Sequence, residues 1–160
     1  MKLVNKDDSV LRQPTSKFDF SNPPFDPIEF SYQLVKTMID SGGIGLAANQ
    51  IGVPYSIFTV FSQPQNIVLF NPRIVDISTE LVELEEGCLT YPGLFVPIKR
   101  PRHVRVRYQQ PNGETVTEKY TGMTARVILH ELDHLNGETF YNKANRYHRE
   151  KALRKWRRTL

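Results

Sequence analysis

The chain has 160 residues, of which 39% are apolar and 24% are charged. This length and balance predict one globular domain with a core of its own. No apolar run approaches the roughly 18 residues of a membrane span, and the first residues lack the apolar segment of a signal peptide. We therefore expect a cytoplasmic protein, or one in the equivalent interior of a host cell or organelle, without membrane contact.

Cysteine content and charge distribution add two expectations. The single cysteine, Cys88, excludes an intramolecular disulfide, which suits a reducing compartment. The net charge is +4, but residues 143–160 hold eight Lys or Arg and one Glu, for +7, and residues 1–142 carry −3. We therefore predict a single catalytic domain over 1–142 and a basic helical tail over 143–160.

The first predicted helix follows an irregular, polar and proline-rich arm over residues 1–25. Asp26 is a good N-cap residue, Pro27 suits the first helical position, and Glu29 completes a capping box. Gly42 and Gly43 end this helix.

The middle of the chain is predicted to form strands. Runs of β-branched and aromatic residues, or of alternating polarity, cover residues 55–61, 66–70, 73–77, 103–109 and 114–121. Strands in the middle and helices at the ends favour an α+β fold over an alternating parallel sheet.

Two further helices complete the predicted elements. The second runs from Thr121 or Thr124 to Asn136 and is ended by Gly137. The third begins near residue 144 and carries a thin apolar stripe of Ala152, Leu153, Trp156 and Leu160.

The main chemical signal is the pattern H-E-x-x-H, formed by His130, Glu131 and His134. On a helix these histidines lie on one face and can share a metal ion, and the glutamate can move protons. The pattern also arises by chance in helices whose histidines are ordinary core or surface residues. Apolar neighbours favour the metal site, because half-buried histidines need a partner.

A catalytic metal needs a third protein ligand. The zinc-protease pattern would place a histidine where this chain has Phe140, which cannot bind metal. Glu150 or His148 could substitute, but both lie in the basic tail, a poor place for a preorganised site. Cys88 is the better candidate, since one thiolate and two imidazoles leave a fourth position open for water.

Three stretches, in this order, resemble the peptide deformylase family. The family pattern G-Φ-G-Φ-A-A-x-Q, in which Φ is apolar, matches residues 43–50, E-G-C-Φ-S matches 86–90, and H-E-Φ-D-H matches 130–134. Thr90 stands where serine is usual, and we expect this change to be tolerated because the hydroxyl is kept. Residues 43–48 also resemble part of a dinucleotide-binding fingerprint, but they follow a helix, so we expect no nucleotide cofactor.

The resemblance implies antiparallel sheets packed around a central metal-binding helix, followed by a C-terminal basic helix. It implies a metal-dependent hydrolase that removes the N-formyl group from the formyl-methionine of newly made polypeptides and releases formate. The implied metal ligands are Cys88, His130 and His134. The implied ion is ferrous iron, although this ligand set also suits zinc, nickel or cobalt.

Roles in catalysis are also implied by the resemblance. Glu131 takes a proton from the attacking water and delivers it to the departing amine. The side-chain amide of Gln50 and the backbone N–H of Leu89 stabilise negative charge on the formyl oxygen. Arg100 matches the arginine that pairs with Asp133, the alternative being a solvated charge on a loop.

Substrate contacts are implied around the first motif. Extended peptide would pair with the backbone at Ile44 and Gly45, where the missing side chain lets another backbone approach. The methionine side chain would enter an apolar pocket lined by Ile44 and Val127, with Glu86 at its edge.

The basic tail and two rival functions complete the expectations. The tail is either a solvated helix packed through its apolar stripe or a contact to ribosomal RNA, a role that the C-terminal helix serves in bacterial deformylases. One rival is a metalloprotease that uses Glu150 or His148 as third ligand. The other is a basic RNA- or ribosome-binding module with a structural metal.

Overall fold

The computed structural model describes residues 1–160 and contains three helices and seven strands. In chain order these are α1 (Pro27–Asp40), β1 (Gly45–Ala47), β2 (Ile57–Val60), β3 (Ile67–Ile77), β4 (Leu81–Cys88), β5 (Tyr91–Pro101), β6 (His103–Gln109), β7 (Thr115–Thr121), α2 (Gly122–Leu135) and α3 (Arg146–Arg157). Short 3-10 helices cover Ser9–Arg12, Ala48–Ile51 and Phe140–Lys143. None of the helices has both the length and the apolar character needed to cross a membrane.

The strands form two antiparallel sheets. One contains five strands in the order β1-β2-β3-β6-β7, and the other is the hairpin of β4 and β5. The α+β prediction is confirmed. Because β1 is the first strand of the larger sheet, one of its edges has no strand beside it.

The larger sheet carries a helix on each face. Alternating residues of β1 and β2 point to opposite sides, so Ala47 and Phe58 pack with α2 whereas Leu46 and Ile57 pack with α1. The α2 face is apolar through Val127, Ile128 and others, and the α1 face through Phe30, Leu34 and Met38. Buried on this sheet, α2 is the central helix that the resemblance implied.

The hairpin has its own core, which it shares with the end of the chain. Leu94, Val96 and Ile98 of β5 pack with Phe140 and Trp156. The predicted apolar stripe of the tail is therefore a packing surface at Trp156, with Ala152 and Leu153 partly buried beside it. The prediction for Leu160 is wrong: its side chain is 78% exposed, because it lies beyond the end of α3.

Several strand predictions differ from the structure. Residues 66–70 and 73–77 were predicted as two strands, but they form the single strand β3 with an irregularity between Phe70 and Arg73. Asn71 accommodates this irregularity with φ +52° while its side chain bonds both the N–H and the C=O of Phe18. Cys88 is the last residue of β4, a strand that the sequence analysis did not predict.

The N-terminal arm is only partly irregular. It contains the 3-10 helix Ser9–Arg12, and Leu11 and Phe18 within it are buried. At the start of α1, the Asp26 carboxylate accepts from the backbone N–H groups of Ile28 and Glu29, as an N-cap residue does.

Candidate active site and metal centre

Helix α2 carries His130, Glu131 and His134 into the interior. All three side chains are buried, and the two imidazole centroids lie 5.3 Å apart. The helix ends at Leu135, and Gly137 follows with φ +73°. A side chain at Gly137 would meet the backbone of Arg12 at 2.8 Å, so this position needs glycine both for its backbone angle and for space.

Cys88 meets both histidines at the end of β4. Its Sγ lies 3.2 Å from His134 Nε2, and one ligand atom from each of the three residues falls within 4.8 Å of the others. Burial opposes ionisation of the thiol, but the charge and hydrogen bonds of His134 and His130 hold the pKa of Cys88 well below its ordinary value. The three groups thus form a compact set of one sulfur and two nitrogens.

The chemistry of this cluster fits a catalytic divalent metal ion. One thiolate and two imidazoles are common ligands for zinc and related metals, and three protein ligands leave a position for water or substrate. Beside them, Glu131 Oε2 is buried and has no hydrogen-bond partner. Burial raises the pKa of Glu131 to about 7, so its carboxyl group can exchange a proton near neutral pH.

A buried ionic network fixes the orientation of His130. Glu86 Oε1 lies 2.9 Å from His130 Nδ1, so the other ring nitrogen is left for metal binding. Arg100 donates two hydrogen bonds to the Glu86 carboxylate, at 2.6 and 2.9 Å, and Arg126 donates a third at 2.6 Å. Burial alone would raise the pKa of Glu86, but the bonds from His130 and Arg100 lower it to about 2.

Arg100 also contacts Asp133, as the resemblance implied. Its Nη1 lies 3.0 Å from Asp133 Oδ2, and the two groups form an ion pair without hydrogen-bond geometry. The Nζ of Lys143 lies 3.7 Å from the other carboxylate oxygen, Asp133 Oδ1. Arg100 therefore links two carboxylates, one beside each histidine of the cluster. The expected Asp133 contact is present, and the Glu86 contact is additional.

Arg126 was missed by the sequence reasoning. It is buried, and besides Glu86 it donates to the backbone carbonyls of Ile98 and Val82. Its position gave a usable signal, because a residue four before His130 lies on the same helical face. An arginine on that apolar face needs an acidic partner, and Glu86 supplies it.

Gln50 lies beside the cluster with both ends of its amide fixed. Its Oε1 accepts from the Ala47 N–H at 2.9 Å, and its Nε2 donates to Thr90 Oγ1 at 3.0 Å. The same Nε2 lies 3.7 Å from Cys88 Sγ. The Thr90 hydroxyl thus accepts the hydrogen bond from the Gln50 amide. A serine hydroxyl could accept the same bond, so threonine is accommodated in place of serine.

A cleft of about 770 Å³ opens onto this cluster. Its lining includes the implied substrate residues Ile44, Gly45, Glu86 and Val127, together with Leu89. The Ile44 side chain is 52% exposed at the cleft, whereas Val127 is buried.

The two glycines of the first motif are also required by contacts within the chain, which the sequence did not predict. A Cβ on Gly45 would lie 2.6 Å from Val127 Cγ1 and 2.7 Å from Glu131 Oε1. A Cβ on Gly43 would lie 2.6 Å from Leu89 Cδ1. Their small size therefore makes room for Glu131 and for the walls of the cleft.

The backbone of β1 offers hydrogen-bonding groups on its free edge. Ile44 C=O accepts from the Phe61 N–H, and Gly45 is the next residue along, opposite Val60. Because hydrogen-bonded and non-hydrogen-bonded pairs alternate in an antiparallel ladder, the Gly45 N–H and C=O point away from β2. Gly45, rather than Ile44, therefore presents its backbone to a strand placed alongside β1.

The residues that the metalloprotease hypothesis requires as a third ligand lie outside the cluster. Glu150 is exposed in α3 and pairs with Arg146 at 3.0 Å. Phe140 is fully buried, with its ring centroid 5.2 Å from that of His130, so it supports α2 through packing. The cluster of Cys88, His130 and His134 contains neither Glu150 nor His148.

Comparison with known proteins agrees with this geometry. The Polypeptide deformylase family model matches residues 1–150. Peptide deformylase 1 of Nostoc is 36% identical over 143 residues, which cover 86% of this chain and 75% of the relative. The chain belongs to the peptide deformylase family.

Solved structures of the family agree in fold. A peptide deformylase from Synechococcus elongatus, in complex with actinonin, has a TM-score of 0.87 and 34% identity, covering 96% of this chain and 86% of the other. The Thermus thermophilus enzyme has a TM-score of 0.90 and 32% identity, covering 98% and 92%. Family membership implies a metal-dependent hydrolase that removes the N-formyl group from nascent peptides. The rival functions, a metalloprotease and a non-catalytic RNA-binding module with a structural metal, are thereby set aside.

Proposed function

We propose that Cys88, His130 and His134 bind one divalent metal ion and that Glu131 is the general base of deformylation. The proposal is carried by the juxtaposition of the three ligand atoms with Glu131 Oε2, a buried oxygen without a hydrogen-bond partner. When bound, such an ion polarises the formyl oxygen and makes water acidic near neutral pH. By family resemblance this ion is ferrous iron.

Proton movement is assigned to Glu131. Its carboxylate accepts a proton from water as the water oxygen attacks the formyl carbon. The protonated Glu131 carboxyl group then delivers this proton to the amine nitrogen as the C–N bond breaks. Formate and a peptide with a free N-terminus result. The pKa of about 7, raised by burial, suits a group that both accepts and returns a proton at neutral pH.

We assign the stabilisation of negative charge on the formyl oxygen to two hydrogen-bond donors. The Gln50 amide is held by Ala47 and Thr90 with its Nε2 turned toward Cys88. Together with the backbone N–H of Leu89 it would stabilise the oxygen as negative charge develops. Because the amide is already fixed, little reorganisation is needed during the reaction.

We assign the binding of the peptide substrate to the free edge of β1. An extended chain would pair with the backbone at Gly45, next to Ile44, as an added strand. The methionine side chain would then enter the cleft beside Val127. Glu86 borders this cleft, but its carboxylate is already occupied by two arginines and His130, so we assign it to positioning the histidine.

Formate release from a formyl-methionyl tripeptide tests this proposal. Protein prepared without oxygen and reconstituted with ferrous iron should turn over rapidly, and Glu131→Gln should lower kcat by about 10²–10⁴-fold while the metal is retained. Glu138→Gln is a control, because Glu138 lies outside the cluster and is exposed. Iron-loaded wild type without formate release, or Glu131→Gln with wild-type kcat, would contradict the proposal.

We also propose that the basic tail contacts ribosomal RNA in the cytoplasm. The chemistry is assigned to residues 1–142, and residues 143–160 contain helix α3. The exposed side chains of this tail are largely cationic: Arg146, Lys151, Arg154, Lys155, Arg157 and Arg158. Replacing Arg154, Lys155 and Arg158 with glutamine should abolish salt-sensitive co-sedimentation with ribosomes. Unchanged co-sedimentation would exclude this contact.

A further inference from the structure

The C-terminal helix reaches the wall of the cleft through one residue. Trp156 is the buried residue of α3, and its indole N–H donates to the Pro92 carbonyl at 2.8 Å. The indole ring also lies against Gly93, where an added Cβ would be 3.9 Å from Trp156 Cδ1. Pro92 and Gly93 both line the cleft. A residue of the tail therefore contacts the back of the cleft wall.

This part of the wall is not held by regular strand pairing within its own hairpin. Cys88 pairs with Tyr91 and Glu86 pairs with Val96, but residues 92–95 of β5 have no partner position on β4. Pro92 has no N–H to donate, and Gly93 has φ +82°, which breaks the regular strand geometry. The hydrogen bond from Trp156 thus holds a carbonyl group that the hairpin leaves without a paired residue.

A second contact path runs from Trp156 toward the metal-binding helix. Its ring packs on Tyr91 at 6.0 Å between centroids, Tyr91 packs on Phe140 at 6.1 Å, and Phe140 packs on His130 at 5.2 Å. Two effects of Trp156 are therefore conceivable: one on the shape of the cleft and one on the ligand. Only the first uses a hydrogen bond, and it acts on residues that border the substrate space directly.

We propose that Trp156 is a positioning residue for the peptide substrate. By holding the Pro92–Gly93 segment, it sets the distance between this wall and the free edge of β1, and hence how tightly an extended peptide fits between them. The proposal rests on the proposed function for the identity of the peptide. The residues around the reacting atoms are held separately, by β4 and α2. Trp156 therefore acts on the binding of the peptide and leaves the chemical step unchanged.

Steady-state kinetics of Trp156→Phe separate these effects. Phenylalanine keeps apolar bulk and loses the N–H. The metal-loaded, full-length variant should show a KM for the formyl peptide raised about three- to tenfold, the range reached when the energy of one hydrogen bond is coupled to peptide binding, with kcat within twofold of wild type. The inhibition constant of the deformylated tripeptide should rise equally. Glu150→Gln, at an exposed position of the same helix, should leave both constants unchanged.

An unchanged KM would overturn the proposal. A lower kcat at unchanged KM would also overturn it, because that pattern assigns Trp156 to the path through Phe140 and His130. If wild type releases no formate at all, the proposed function fails, an outcome that is distinct from either of these.

A spectroscopic test needs no variant. Trp156 is the single tryptophan of the chain, so all tryptophan fluorescence reports on the Pro92–Gly93 contact. Adding the deformylated tripeptide to metal-loaded wild type should change the emission and saturate at the concentration that inhibits formate release. Inhibition without any change in emission would contradict the proposed contact between wall and substrate.

Discussion

Helices α2 and α3 are of similar length but differ in their surroundings. Of the fourteen residues of α2, ten are buried, including two histidines, Glu131, Asp133 and Arg126, whereas α3 buries one of its twelve residues. Charged groups on α2 therefore need partners inside the protein, and nearly all have them. Charged groups on α3 are solvated, so that helix is fixed by the apolar and hydrogen-bonding contacts of Trp156.

The difference has an energetic consequence. Breaking a buried ion pair typically costs about 3–5 kcal/mol, because the remaining charge is stranded, whereas exposed pairs contribute about 0–1 kcal/mol. Substitutions around α2 should therefore change chemistry, metal binding and stability, and substitutions of α3 surface charges should change none of them.

After Glu131, the largest effect is expected at Gln50, beside the α2 cluster. Gln50→Ala removes the amide donor that we propose stabilises the formyl oxygen, so kcat should fall by about 10²–10³-fold while bound metal, measured by elemental analysis, stays constant. Thr90→Ser is the matched control, because it keeps the hydroxyl that holds the amide, and its kcat should stay close to wild type. A Gln50→Ala enzyme with wild-type kcat would remove Gln50 from the proposed mechanism.

Metal affinity should respond next, through the Glu86 network. Glu86→Gln weakens the contact that orients His130, so affinity in a competitive chelator titration should fall by about 10–100-fold. Glu83→Gln, an exposed carboxylate on the same strand, should have no effect. Equal affinities for the two variants would mean that the buried network serves folding alone.

Stability should depend on pH through the same carboxylate. The folded-state pKa of Glu86 is about 2, below the ordinary value of 4.5, so its contribution is present above pH 4.5 and is lost as the pH falls toward 2. The lowering corresponds to about 3 kcal/mol at neutral pH. In metal-free protein, the difference in unfolding free energy between wild type and Glu86→Gln should shrink below pH 4.5. A difference that stays constant with pH would contradict this assignment.

The smallest effect is expected on the surface of α3. Glu150→Gln removes an exposed ion pair with Arg146, so the unfolding free energy should stay close to that of wild type. Bound metal should not change either, because Glu150 lies outside the Cys88 cluster. Loss of metal in this variant would revive the hypothesis of a protease-like third ligand and would weaken the contrast between the helices.

Features with a local cause could be predicted from the sequence. The spacing of His130 and His134 follows from helical geometry, and Cys88 follows from the need for a third ligand of suitable chemistry. Cap residues placed α1 and α2 within a few residues of their observed ends.

Features that depend on distant partners could not be predicted. Strand β4 is rich in glutamate and lacks a clear alternation, so its pairing with β5 is visible only in the hairpin. Arg126 acquires its role from Glu86, forty residues away in the chain. The need for glycine at position 45 comes from Glu131 and Val127, which α2 brings against β1.

A cobalt titration of metal-free protein under exclusion of oxygen tests the central claim, that Cys88 joins the two histidines of α2 in one metal site. We expect saturation at about one ion per chain, with a thiolate-to-cobalt charge-transfer absorption that disappears in Cys88→Ser. Wild-type affinity and an unchanged spectrum in Cys88→Ser would contradict it, because the metal would then bind without the cysteine.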